Sequence, residues 1–159
     1  MDQLIEEIKR QLVLRLCEES IPRIKICLEK LTEDQIWESP NSEIPAIGNL
    51  ILHLNGNVRL WFLDGMCGIS YTRDRNFEFK ARKSHTKLEL IALLDVLSVD
   101  IKESTHCINY NKLCEIKVMQ DYFESSGYAI ITHVIEHFSY HVGQISTLTK
   151  YFTKADLGY

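Results

Sequence analysis

Two histidines four residues apart, His137 and His141, lie in the stretch 128–152, YAIITHVIEHFSYHVGQISTLTKYF, and share one face of the most apolar helix the sequence announces. At i and i+4 their Cβ atoms stand about 5–6 Å apart, from which two imidazoles can converge on one metal ion. Neutral imidazole is the ligating form, and apolar surroundings favour it. The pair is half of a metal site, or else two core histidines bonded to backbone carbonyls or water. His53 sits at the border of another apolar face, with Asn49 and Asn57 about one turn either side. Such a polar shelf lines a cavity better than it fills a dry core, unless His53 is a part-exposed surface residue. His133-Val-Ile-Glu136-His137 spells the H-x-x-E-H of inverzincin peptidases, but the small all-helical frame and the better-placed His141 weigh against it. His85 and His106 have no partner at useful spacing and read as surface residues.

These residues must be carried by helices. Residues 2–31 place Leu4, Ile5, Ile8, Leu12, Leu16, Ile24, Cys27, Leu28 and Leu31 mostly three or four apart, which predicts a long amphipathic helix. Pro22 removes a donor and should kink it near Glu18 or Glu19. Thr32-Glu-Asp-Gln35 has the form of a capping box before a short turn through Trp37. A second helix is expected from Pro45, carrying Ile47, Leu50, Ile51, Leu54, Val58, Trp61 and Phe62 and ending at Gly65 or Gly68. Residues 69–83 show no helical stripe and read as a solvated loop, with a lid over the site as the functional alternative. Ser84 or Thr86 caps a third helix whose packing face includes Leu88, Ile91, Leu94, Val96, Leu97 and Ile101. Asn109-Tyr-Asn111 turns the chain, 114–119 alternates like a short strand, and Ser125 or Ser126 caps the histidine-bearing helix. Four long helices with unequal connections make an all-α, four-helix bundle the expected fold, with 1–159 as a single domain.

The totals exclude several classes. A net charge of −4 lacks the basic footprint of a nucleic-acid binder. No apolar run suffices for a membrane span, and the start MDQLIEEIKR lacks the pattern of a secretion signal, so a cytoplasmic protein is expected. The five cysteines (Cys17, Cys27, Cys67, Cys107, Cys114) are odd in number and without C-x-x-C spacing. They read as buried free thiols rather than a disulfide or zinc–thiolate framework.

The stretch 47–62, IGNLILHLNGNVRLWF, followed by His133-Val-Ile-Glu-His137-Phe-Ser-Tyr-His141-Val-Gly-Gln-Ile145, resembles the DinB/YfiT-like superfamily, closest to one of its uncharacterised branches. The resemblance spans essentially the whole chain. It implies a four-helix bundle in which three histidines, one on the second helix and an H-x-x-x-H pair on the last, hold a divalent metal, often nickel or zinc. The matching positions are His53, His137 and His141. Val142 departs from the pattern, since many relatives have a basic residue before Gly-Gln, which leaves no cation there to hold an anionic group. Three histidine ligands leave a coordination position open, as in catalytic rather than structural sites. His133, one turn before His137, could replace a ligand or support one; Asn49, Asn57, Tyr140 and Gln144 also fall close to a ligand on the helical wheel.

The resemblance implies a metal-dependent enzyme, either a transferase of a low-molecular-weight thiol to an electrophile or a small-molecule hydrolase. A bound divalent ion lowers the pKa of a coordinated thiol or water, which gives that reading its chemistry. The alternative is a non-catalytic, stress-related metal-binding module that forms a homodimer, the apolar outer arcs of the first and last helices suiting one. The expected partners are a small-molecule substrate and a second copy of the chain, with neither nucleic acid nor membrane.

Overall fold

The computed structural model describes residues 2–159 and is built from four long helical stretches with short elements between them. The first runs from α1 (Asp2–Val13) through a π-helical segment (Leu14–Ser20) into α2 (Ile21–Lys30). Pro22 explains the widened turns. It cannot donate to the carbonyl four residues earlier, and the chain absorbs the loss in π geometry just before it, with Ile21 N–H donating to the Leu16 carbonyl. Thr32 and Gln35 form the expected capping box for α3 (Glu33–Trp37).

The helix α4 (Ile47–Val58) is the centre of the molecule, and all twelve of its residues are buried. It begins two residues after Pro45 rather than at it, with Ala46 at the N-cap. A second π-helical segment (Arg59–Met66) extends it, and the chain leaves through Gly68 at φ +75°, a left-handed conformation that glycine takes without strain. Residues 69–83 are not the solvated loop expected. They contain α5 (Arg75–Lys80), capped by Asp74 and packed on α4 with Glu78 and Ala81 buried.

Thr86 and Glu89 cap α6 (Lys87–Ser104), which buries Leu90, Leu94, Leu97 and Ile101. Leu88 and Val96, expected on that face, are exposed, because the 3.6-residue period turns both outward. A 3₁₀ turn (Thr105–Cys107) follows, and residues 109–111 do more than turn the chain, Asn109 capping α7 (Tyr110–Cys114). The expected short strand is β1 (Ile116–Met119). It pairs antiparallel with β2 (Phe123–Ser126), Met119 opposite Phe123, around Gln120 and Asp121, both at positive φ.

The last long stretch is α8 (Gly127–Thr153), capped by the Ser126 hydroxyl accepting from Ala129 N–H at 3.1 Å. At its start the backbone of α7 approaches so closely that a Cβ on Gly127 would fall 2.0 Å from the Lys112 carbonyl oxygen. One hydrophobic cluster joins the four stretches around Phe62, Leu54, Val134 and Phe138. The cysteine expectation is corrected: Cys67 and Cys107 are disulfide-bonded, joining the ends of the two helical stretches they close. Cys17 and Cys27 are buried free thiols and Cys114 is exposed. Forty residues separate the bonded pair in sequence, and only the packing of α4 beside α6 brings them together.

Candidate metal centre

Because α4 is wholly enclosed, its histidine and three asparagines must find partners inside the protein. Asn55 accepts from Arg59 Nε at 3.0 Å, and Arg59 in turn reaches Asp100 at 2.6 Å. Asn49 donates to the carbonyls of Glu78 and Ala81 at 2.8 and 3.0 Å, fastening α5 to the helix. Asn57 Nδ2 donates to His133 Nε2 at 3.2 Å. His53 is 5% exposed and faces the rings of His137 and His141.

The structure brings His53, His137 and His141 together, with one potential ligand atom from each inside 4.8 Å of the others. The Nε2 atoms of His53 and His137 are 2.9 Å apart. His141 Nδ1 donates to Gln144 Oε1 at 2.6 Å, and Gln144 Nε2 donates to the exposed Tyr140 hydroxyl at 3.2 Å. His133 lies outside the trio, stacked between His137 (ring centroids 5.2 Å) and Trp61 (4.2 Å). Of the five supporting residues the sequence singles out, Gln144 touches a ligand candidate by hydrogen bond. Tyr140 touches Gln144 and packs its ring on His141, His133 packs on His137, Asn57 acts on His133, and Asn49 acts on the segment carrying Glu78. Glu136 is exposed, which leaves the H-x-x-E-H string without a base facing the histidines.

The surroundings of His137, His141 and His133 disfavour their protonation. Burial, then the neighbouring rings of His141, His53 and His133 and the Arg73 charge, push His137 down to about 3. Burial lowers His141 against the opposing hydrogen bond to Gln144, and lowers His133 against the charge of Glu136. A neutral imidazole keeps one ring nitrogen free of a proton, which is what a cation requires of its ligand. The donor set therefore fits a divalent metal ion.

Two residues escape the sequence reading. Glu78, 4% exposed, lies 2.9 Å from His53 Nδ1 and accepts from Arg73 at 2.6 and 2.8 Å. Burial pushes the Glu78 carboxyl up, but hydrogen bonds from His53 and Arg73 and the guanidinium charge outweigh it and hold it below the usual range. Gly56 was the available signal: a glycine inside an otherwise well-formed helix marks a close approach. A Cβ there would fall 2.0 Å from Glu78 Oε1.

Beside the trio opens a cavity of about 620 Å³, within the range of small-molecule sites. His53, His137, His133 and Asn57 form its polar wall, Trp61, Tyr122 and Phe123 its aromatic wall, and Arg73 and Arg75 bring cations to it. Asn57 Oδ1 and Trp61 Nε1 are buried without a hydrogen-bond partner among the described residues.

A model of the family described as "Protein of unknown function (DUF1572)" matches residues 17–158. Among solved structures the chain is similar to a DinB-like protein (YjoA) from Bacillus subtilis, with a TM-score of 0.70 and 16% identity over 94% of this chain and 96% of that one. It is also similar to a DinB-like protein from Bacillus cereus, with a TM-score of 0.67 and 11% identity over 87% and 89%. No curated protein matches it. At these identities the likeness shows the fold, which is the DinB-like helical bundle that the sequence resemblance implied.

Proposed function

The chain belongs to the DUF1572 family, and from its DinB-like bundle and its histidine trio we propose that it is a metal-dependent enzyme whose divalent ion is held by His53, His137 and His141. The observation that carries the proposal is the convergence of three imidazoles beside a cavity, with the His53 and His137 Nε2 atoms 2.9 Å apart. Zinc or nickel suits three nitrogen donors. When bound, such an ion supplies an open position at which a thiol or water becomes acidic enough to react near neutral pH.

The remaining work falls to the chain. Trp61, Tyr122 and Phe123 line one side of the cavity and offer flat apolar faces to a small substrate. Asn57 Oδ1 and Trp61 Nε1 present an acceptor and a donor with no internal partner, Arg75 brings a positive charge, and neutral His133 borders the same space. These features support transfer of a low-molecular-weight thiol to an electrophile, or hydrolysis of a small molecule. A homodimer and a cytoplasmic setting belong to the same proposal, although the Cys67–Cys107 pairing is of a kind that persists in oxidising compartments. No helix among the described residues is long and apolar enough to cross a membrane.

The test is elemental analysis of untagged protein beside the His137→Ala variant. About one nickel or zinc per chain, lost in the variant, is the expected result and leads to assays of thiol plus electrophile. Folded wild-type protein without metal, even after incubation with either ion, would overturn the proposal.

A further inference from the structure

A carboxylate buried as deeply as Glu78 is rare unless its charge has a partner and a purpose. Three separate features of the fold are arranged around it. Gly56 leaves a notch in α4, where a Cβ would lie 2.0 Å from Glu78 Oε1 and 3.2 Å from Arg73 Nε. Asn49 grips the backbone of the segment from the same helix, through the carbonyls of Glu78 and Ala81. Arg73 meets the carboxylate with two parallel hydrogen bonds, Nε to Oε1 at 2.6 Å and Nη2 to Oε2 at 2.8 Å. What remains of Oε2 faces His53 Nδ1 at 2.9 Å.

Resting on the metal-site reading above, we infer that Glu78 is the positioning residue of His53: it accepts the Nδ1 proton, so that Nε2 turns its lone pair toward His137 and His141. Arg73 fixes the carboxylate by donating to both oxygens, which keeps Glu78 an acceptor. Carboxylate–histidine pairs of this geometry set both tautomer and ring orientation at metal centres. The contact competes with a rival arrangement, because Arg73 Nη2 also stands 2.9 Å from Nδ1. In the rival, Arg73 donates to Nδ1, and the proton moves to Nε2, where it points at His137 and blocks a ligand atom. Hydrogen positions separate the two, and they can be measured.

The experiment reads two quantities. Side-chain nitrogen shifts of His53, assigned with a His53→Gln variant, report its tautomer in metal-free protein. Zn²⁺ titrated against a chromophoric chelator reports affinity in wild type, E78Q, E78D and the charge-free R73M/E78M, with helix content checked by circular dichroism. In E78Q the Arg73 guanidinium takes the amide oxygen, leaving the amide N–H₂ to face Nδ1 and drive the ring to its Nε2–H form. The expected result is an Nδ1–H tautomer in wild type, its loss in E78Q, and Zn²⁺ binding weaker by about 10–100-fold, with E78D recovering part. The variant R73M/E78M carries no unpaired charge, and should show the same loss if E78Q does not fold. A wild-type His53 in the Nε2–H form, or folded E78Q or R73M/E78M binding Zn²⁺ as tightly as wild type, would overturn this inference and leave the metal site standing. Wild-type protein that binds no Zn²⁺ would overturn both.

Discussion

His53 on α4 and His141 on α8 both turn Nδ1 toward an oxygen acceptor, but the two supports are built differently. His141 uses Gln144, three residues on along its own helix, half-buried and tied only to an exposed tyrosine. His53 uses a carboxylate 25 residues away, enclosed with its arginine and seated in a notch cut by a glycine. The local support follows from helix geometry alone and can be lost at small cost. The distant one is a charged network of buried side chains, where a half-removed pair is worse than none.

The largest separation between the two corners should come from Arg73→Met. It leaves Glu78 buried without its cation, the side chains being 8% and 6% exposed, and urea unfolding should show a loss of about 3–5 kcal/mol. A loss below about 1 kcal/mol would mean that the carboxylate reaches water or a proton, and the contrast with α8 would fail.

One glycine from each of the two helices sharpens the same contrast. Gly56→Ala drives a methyl group into Glu78 Oε1 and should destabilise by about 1–3 kcal/mol despite alanine's better helix propensity. Gly143→Ala on α8 meets nothing within 4 Å and should stabilise by about 0.5–1 kcal/mol. Thermal melts of the pair that moved in the same direction would erase the distinction.

Gln144→Ala removes one local hydrogen bond and should cost about 1 kcal/mol, visible as a shift in the denaturation midpoint with an unchanged slope.

The smallest effect is on pH dependence. The folded His137 is held near 3 against its ordinary 6.5, so between those values the unfolded chain binds the extra proton and stability of the metal-free protein falls with pH. His141 and His133, also lowered, act in the same direction. Glu78, lowered as well, adds stability above the ordinary carboxylate range that is lost further into acid. His137 borders the cavity, so solvent screens much of the effect. His137→Ala should show a shallower fall in Tm between pH 7 and pH 4 than wild type.

What the sequence determined by itself is what repeats along a helix. The 3.6-residue period put His137 and His141 on one buried face and gave the four long stretches, and the spacing of Thr32–Gln35 and Thr86–Glu89 gave two capping boxes. Gln144 was legible for the same reason, one turn from the histidine it touches. The tertiary structure alone decided what meets across elements. His53 faces His137 because α4 and α8 pack side by side, Cys67 reaches Cys107 because α4 and α6 do, and Glu78 reaches His53 because a polar-looking segment folds back over the notch at Gly56. Nothing in 69–83 is apolar enough to announce burial. Its buried site residue is charged, and a charge becomes a core residue only when its partner, here Arg73 beside Glu78, is brought in with it.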